Sequence, residues 1–194
     1  MSNKPILEVE KLNVGYQTKD GEIHAVQDVS FKVFSNEVFG IAGESGCGKS
    51  TLIKAIMRLL PENGKMDAHS IKYKDQKIDR MSENIFRNEV LWAQISLVPQ
   101  SAMNSLNPVY KVGEQIVEAI QAHTSQGKKE ARERVEELFD VVGLQSEFMD
   151  SFPHEFSGGM RQRAMIAMAL ALDPGLIIMD EPTTGLDVLV QEKI

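Results

Sequence analysis

The chain has little of what builds disulfide scaffolds, metal centres or membrane spans. One cysteine, Cys47, occurs in 194 residues, which excludes an intramolecular disulfide and points to a reducing compartment. The four histidines, His24, His69, His123 and His154, include no pair at metal-ligand spacing. His154 reads as a local loop or packing residue. No apolar run approaches the roughly 20 residues needed to cross a bilayer, and the polar opening Met1-Ser2-Asn3-Lys4-Pro5 does not resemble a secretory signal. Internal repeats and low-complexity tracts are also missing. Basic charge is in deficit: a formal net charge of −7 argues against a broad electrostatic surface for nucleic acid. Together these absences lead to the expectation of a cytoplasmic chain.

What is present suits a packed soluble domain, with 42% hydrophobic and 25% charged residues able to bury a substantial core. Ten methionines invite a special role, but Met165 and Met168 stand at helical spacing with Ile166 and Ala169, so core packing is the reading. The run Lys128-Lys129-Glu130-Ala131-Arg132-Glu133-Arg134 interleaves glutamates with its bases, and Glu130 and Arg134 are four apart. That pattern describes a solvated helix face.

The most informative segment is Gly43-Glu44-Ser45-Gly46-Cys47-Gly48-Lys49-Ser50, which fits G-x-x-x-x-G-K-[ST]. Val38, Phe39, Ile41 and Ala42 before it read as a short buried strand. Leu52, Ile53, Ala55, Ile56, Leu59 and Leu60 after it recur at helical spacing up to Pro61. Glycines allow the tight turn and the close approach of backbone N–H groups to phosphate oxygens, and the new helix adds positive partial charge at its N-terminus. ATP or GTP is the predicted ligand. Lys49 is expected on the β- and γ-phosphates, and the Ser50 hydroxyl on Mg²⁺. Thr51 joins the candidate nucleotide-binding set with a structural reading, and Cys47 reads as an incidental loop thiol rather than a redox switch.

Other elements follow from periodicity. Apolar segments around Ile6 to Val14 and Val29 to Val33 read as antiparallel strands, with turn chemistry at Lys19-Asp20-Gly21-Glu22 and Ser35-Asn36-Glu37. Ile71-Lys72-Tyr73 suggests another short strand. Ile95, Leu97 and Val98 make a strand ending at Pro99-Gln100, and Leu176-Ile177-Ile178-Met179 make the most apolar strand, ending at Asp180-Glu181. Between them, Val112, Ile116, Val117 and Ile120, then Val135, Leu138, Phe139 and Val142, recur at helical spacing. Asp180 at a buried strand end suits a Mg²⁺ carboxylate, and Glu181 beside it suits a base that orients or deprotonates an attacking water.

Phe156-Ser157-Gly158-Gly159-Met160, followed by Arg161-Gln162-Arg163 and an apolar helix from Ala164 to Leu172, resembles the signature motif of ABC-type ATPases. The phosphate loop, Gln100, the Ser-Gly-Gly signature, Asp180-Glu181 and Thr184-Gly185-Leu186-Asp187 stand in that family's order. The stretches Val98-Pro99-Gln100 through Ser105-Leu106-Asn107-Pro108 and Phe152 through Arg163 are similar to the oligopeptide/dipeptide importer branch, which includes nickel importers. The resemblance implies an α/β fold: a P-loop NTPase (ABC-type) core over 1–100 and 156–194 with an antiparallel β flank, and an inserted helical subdomain over 101–155.

It also implies a motor subunit, peripheral on the cytoplasmic face of a membrane, that closes head-to-tail with a second copy or a paralogue around two ATP molecules. Lys49, Ser50, Gln100, Asp180 and Glu181 would act in cis, with Ser50, Gln100 and Asp180 toward Mg²⁺ and Lys49, Gln100 and Glu181 toward catalysis. The partner's Ser157, Gly158 and Gly159 would face the γ-phosphate. Asp187 would lie at the dimer seam, and Tyr16 would stack on adenine. The remaining implied partners are integral membrane permease subunits and, indirectly, an extracellular solute-binding protein, with no nucleic acid.

Two departures from the family pattern stand out. Phe156 and Met160 replace the commoner Leu and Gln, while the serine and glycines that make the phosphate contacts remain. The family's switch histidine falls beyond the Asp187 motif, whereas the sequence stops at Ile194. The expectation is an N-terminal fragment of a longer subunit, missing C-terminal strands, with weak or absent turnover. The competing readings are a soluble ABC-type ATPase acting on nucleic acid or ribosomes, and a nucleotide-binding module without turnover.

Overall fold

The computed structural model describes residues 4–100 and 105–183. The chain forms two compact units, Met1–Phe86 and Arg87–Ile194.

The first unit is built on two long strands, β1 (Pro5–Thr18) and β2 (Gly21–Phe34), paired antiparallel from Pro5↔Phe34 to Thr18↔Gly21. The turn between them closes at Gly21, where φ is +123°. The opposite edge of β1 is shared by two short strands: β4 (Ser70–Tyr73) pairs with Leu7 to Glu10, and β3 (Gly64–Asp67) pairs with Asn13 to Tyr16. Lys11, between those two stretches, takes a left-handed φ of 49°, as does Asp28 on β2. Side chains satisfy the backbone at this irregularity, since Ser30 Oγ accepts from Lys11 N at 2.8 Å and Asn13 Oδ1 accepts from Asp28 N at 2.9 Å. A bulge re-aims a long strand, and here side chains take up the backbone amides that leave the ladder. The minor strand β5 (Gln76–Lys77) folds back antiparallel on β4, Lys72↔Lys77 and Tyr73↔Gln76.

Helix α1 (Lys49–Ile56) buries Leu52, Ile53, Ala55 and Ile56, and Leu7, Val9, Leu12, Val14, Ile71 and Tyr73 supply the sheet's part of the core. The helix stops a turn earlier than its apolar spacing predicts. Arg58 adopts φ 52°, its guanidinium donates to the carbonyls of Ile78 and Met81 and lies 4.6 Å from the Phe86 ring centre, and Leu59 is left exposed. Tertiary partners for one side chain thus end the helix against its local propensity. The one-turn α2 (Glu83–Ile85) closes the unit, with Ser82 Oγ accepting from Ile85 N.

The strand expected at Val38, Phe39, Ile41 and Ala42 does not form. These residues lie outside any strand, with Val38 fully exposed and Phe39 and Ile41 exposed. Phe39 instead stacks on Phe31, with ring centres 5.3 Å apart. An apolar run becomes a strand only where a neighbour takes up its N–H and C=O groups, and the segment has no such ladder among the described residues.

In the second unit β6 (Ile95–Val98) and β7 (Leu176–Met179) pair parallel, Ile95↔Leu176 through Val98↔Met179. Parallel pairing requires a crossover, here made by α3 (Val112–His123), α4 (Lys128–Val141) and α5 (Gly158–Leu170). Val112, Ile116, Ile120, Val135, Leu138, Phe139, Met149, Phe156 and Ala164 share one buried cluster with Val98 of β6. Met165 belongs to it and Met168 packs against it, which accounts for both methionines as packing. Helix α4 ends in a left-handed Gly143 (φ 66°), with Gly143 N bonded to Asp140 O and Leu144 N to Phe139 O, the double closure that favours glycine after a helix. On its charged face Glu130 and Arg134, four residues apart, turn to other partners. Glu130 caps the Gly127 amide, while Arg134 pairs with Glu137 and Asp173.

Candidate functional site

Two clusters of candidate residues can be built up, one in each unit. In the first, the chain after Phe39 runs without regular structure into the phosphate loop, where Gly46 (φ 82°) and Gly48 (φ 99°) occupy left-handed backbone. Gly48 has a second constraint: a Cβ there would lie 2.4 Å from the Ala25 carbonyl oxygen on β2. It is the residue before α1, so the helix starts without a side-chain cap and has no acidic residue in its first turn. The first amides of α1 thus face no capping group, which suits an anion. Lys49 folds its ammonium over the loop and donates to Gly43 O at 2.8 Å and Glu44 O at 2.9 Å, with Cys47 Sγ at 4.0 Å. Its charge is therefore held over the loop that Gly43, Glu44, Ser45, Gly46 and Cys47 trace. Ser50 and Thr51 follow on α1, and the Tyr16 hydroxyl donates to Thr51 Oγ1 at 3.2 Å.

In the second unit the parallel register places the ends of β6 and β7 side by side. Asp180 N donates to Val98 O at 2.9 Å, continuing the ladder one step past β7, and the Asp180 side chain is buried. One residue further, Gln100 Nε2 donates to Glu181 Oε2 at 2.8 Å. Glu181 is itself left-handed at φ 49°, a backbone conformation that costs an ordinary residue roughly 1–2 kcal/mol. The structure thus joins Gln100 to the Asp180-Glu181 pair, which begins 80 positions later in the sequence.

The signature segment is the start of α5. Ser157 is its N-cap, its Oγ accepting from Met160 N at 3.2 Å, and Gly158 and Gly159 form the first helical positions. The helix therefore begins six residues ahead of the apolar stretch that announced it, and it ends at Leu170. Arg161 Nη1 donates to the Phe156 carbonyl at 2.5 Å, tying the motif's two sides together. The departure at Phe156 has a packing reason: the ring is buried and meets Phe148 edge-to-face at 5.8 Å. Asp187 and the rest of Thr184-Gly185-Leu186-Asp187 lie outside the described residues.

Charge around the helices is arranged structurally. The Arg132 guanidinium bonded to Asp150 at 2.6 Å holds that carboxyl below its usual range and raises the arginine. In the first unit Lys32 and Lys72, from the strands on either side of β1, grip Glu8 and hold its carboxyl below its usual range. The sequence pattern does not reveal the tie between Tyr16 and Thr51 or the close pass of Gly64 against the Tyr16 ring. No pattern within either segment signals them, because one joins β1 to α1 and the other joins β1 to β3.

A family model described as ABC transporter matches residues 26–184, and the chain belongs to that family. The dipeptide transport ATP-binding protein DppD of Bacillus subtilis is 43% identical over 192 residues, covering 97% of this chain and 57% of that protein. The oligopeptide transport ATP-binding protein OppD of Escherichia coli is 44% identical over 191 residues, covering 97% of this chain and 56% of that protein. The chain thus spans about half the length of the curated relatives it matches. Among solved structures, the ATP-binding cassette MJ0796, dimeric and bound to ADP and Pi, matches with a TM-score of 0.81 at 27% identity, over 97% of this chain and 79% of that one. CbiO1 of Clostridium perfringens, part of the transporter complex CbiONQ, matches with a TM-score of 0.79 at 30% identity, over 98% and 71%. The fold is the ABC cassette P-loop fold, with its antiparallel β flank and helical subdomain.

Proposed function

We propose that this chain is the ATP-binding and ATP-hydrolysing part of a motor subunit that energises import of peptides, or of a related small solute, through a separate membrane permease. The observation that carries the hydrolytic reading is the Gln100–Glu181 hydrogen bond beside buried Asp180, at the adjacent ends of two parallel strands. Ligands in parallel α/β sheets gather at the carboxyl ends of the strands. In this reading 1–100 and 156–194 form the discontinuous nucleotide-binding core and 101–155 the helical subdomain.

Lys49 and the loop amides bind the β- and γ-phosphates, with Gly43 through Thr51 as the cradle. Ser50, Gln100 and Asp180 offer hydroxyl, amide and carboxylate oxygens, a hard donor set that fits Mg²⁺, which usually takes one or two carboxylates and completes its shell with phosphates and water. Held by these residues, the ion would supply positive charge that offsets the negative charge developing in the transition state. Glu181 accepts a proton from the attacking water, and Gln100 fixes its direction. Tyr16 presents its ring to the base. Ser157, Gly158 and Gly159 act on the nucleotide of a second cassette, identical or paralogous, with Asp187 at the seam; the dimeric MJ0796 structure supports that pairing. Permease subunits and, through them, an extracellular binding protein are the remaining partners, with the chain peripheral on the cytoplasmic face. Peptide import is favoured by the relatives' names.

Calorimetry with Mg-ATP tests the nucleotide reading. The chain is expected to bind, and Lys49→Ala to lose at least tenfold in affinity, because a charge-assisted phosphate contact is worth more than about 1.4 kcal/mol. Equal binding by both would sink the assignment of Lys49.

A further inference from the structure

Tyr16 is restrained from two sides by residues outside the phosphate-loop pattern's charged set. Its hydroxyl donates to Thr51 Oγ1 at 3.2 Å, on the third residue of α1 and two residues after Lys49. Its backbone pairs with Gly64 across the β1–β3 ladder. A Cβ on Gly64 would come within 3.1 Å of Tyr16 Cε1, and within 3.2 Å of both Leu60 Cβ and the Pro61 carbonyl oxygen. The adjoining residues lock the same corner, since Gln17 N donates to Asn63 O at 2.8 Å and Asn63 Nδ2 donates to Gln17 O at 3.1 Å. The ring is thus crowded where β3 passes it, tethered at its hydroxyl end to the first turn of α1, and half-buried.

We propose that Thr51 and Gly64 are positioning residues for Tyr16, fixing its ring as a preformed stacking platform for the base of a nucleotide whose phosphates occupy the loop. The inference rests on the nucleotide reading above and adds what selects for the base. A ring already held in place loses little freedom when a base stacks on it, so the contact yields more net affinity than a mobile tyrosine would. The tether also starts on the helix that carries Lys49 and Ser50, so base platform and phosphate cradle move as one piece. Thr51 then has a role in base recognition, which its position in the loop pattern does not suggest.

Mg-tripolyphosphate, which has the phosphates and no base, separates the two contributions. Calorimetry of the whole chain with Mg-ATP and with Mg-tripolyphosphate gives a ratio of affinities that isolates the base, and the unaltered chain is expected to prefer ATP. Tyr16→Phe keeps the ring and removes the hydroxyl; Thr51→Val removes the acceptor. Each is expected to lower the ratio about two- to fivefold, the loss appropriate to one long neutral hydrogen bond. The double variant should fall no further than either single one, because both remove the same bond. Thr51→Ser should restore the ratio, and Gly64→Ala should lower it by displacing the ring. An unchanged ratio in Tyr16→Phe and Thr51→Val, additive losses in the double variant, or tighter ATP binding once the tether is cut would overturn the proposal while leaving nucleotide binding intact. Failure of the unaltered chain to bind either ligand would overturn both.

Discussion

Gly48 carries the heaviest constraint of any single residue in the phosphate loop. Its φ of 99° is unfavourable for any residue with a Cβ, and the Ala25 carbonyl 2.4 Å from that added atom is backbone, which cannot swing away as a side chain would. Gly48→Ala is therefore expected to strain both the loop and its seat on β2. Strain of this kind costs about 1–3 kcal/mol, and the loop can relieve it only by shifting the amides at the start of α1. The expected result is at least a tenfold loss of Mg-ATP affinity in calorimetry with a modest fall in melting temperature. Undiminished binding would show that the loop adapts freely. Gly46, also left-handed at φ 82°, has open space around its missing side chain, so Gly46→Ala should cost less than Gly48→Ala.

At the scale of elements, three strands are stapled by one carboxylate. Glu8 on β1 is paired with Lys32 on β2 and Lys72 on β4, and its side chain is only 14% exposed. Lys32 and then Lys72 hold its pKa below the ordinary value of 4.5. A carboxyl whose folded pKa is depressed contributes stability that is fully present above its unfolded pKa and is lost as pH falls through the folded one. Asp150, lowered mainly by Arg132, acts in the same direction in the helical region, though its half-exposed side chain screens the effect. Melting temperature is expected to hold from neutral pH down to about 5 and to drop below about 4. Glu8→Gln should lower the neutral-pH melting temperature and flatten part of that acid dependence. An acid profile identical to that of the unaltered chain would show that the staple contributes nothing.

For the molecule as a whole, the proposed activity needs a second cassette, and Ser157 separates fold from assembly. It caps α5, and losing a serine cap costs about 1 kcal/mol, whereas aspartate caps equally well. Ser157→Asp should therefore keep the melting temperature while placing a carboxylate where the partner's γ-phosphate must come. In a Glu181→Gln background that retains ATP, light scattering is expected to read a dimer mass with Mg-ATP and a monomer mass once Ser157→Asp is added. A dimer that survives the added carboxylate would remove the signature from the interface. Among the described residues no helix is long and apolar enough to cross a membrane.

Much of this architecture is local and so legible in the residues themselves. The alternation of Val29, Phe31 and Val33, the helical spacing of Val112, Ile116 and Ile120, and the strands around Ile95 and Ile177 all report a face that must be buried, and all form. The loop pattern likewise locates Lys49 and Ser50 at a helix start, because left-handed glycines and a helix N-terminus are consequences of a few adjacent residues. Interactions across distance were not legible. Whether Val38 to Ala42 becomes a strand depends on a partner for its backbone, and where α1 stops depends on what Arg58 finds on the far side of the β4–β5 hairpin. Gln100 meets Glu181 only through the parallel register of β6 on β7, and Tyr16 meets Thr51 only because β1 carries it past the first turn of α1. Periodicity and motif determine which groups exist and which faces they share; the distances at which those groups meet were decided by strand register and packing, which no short stretch of sequence contains.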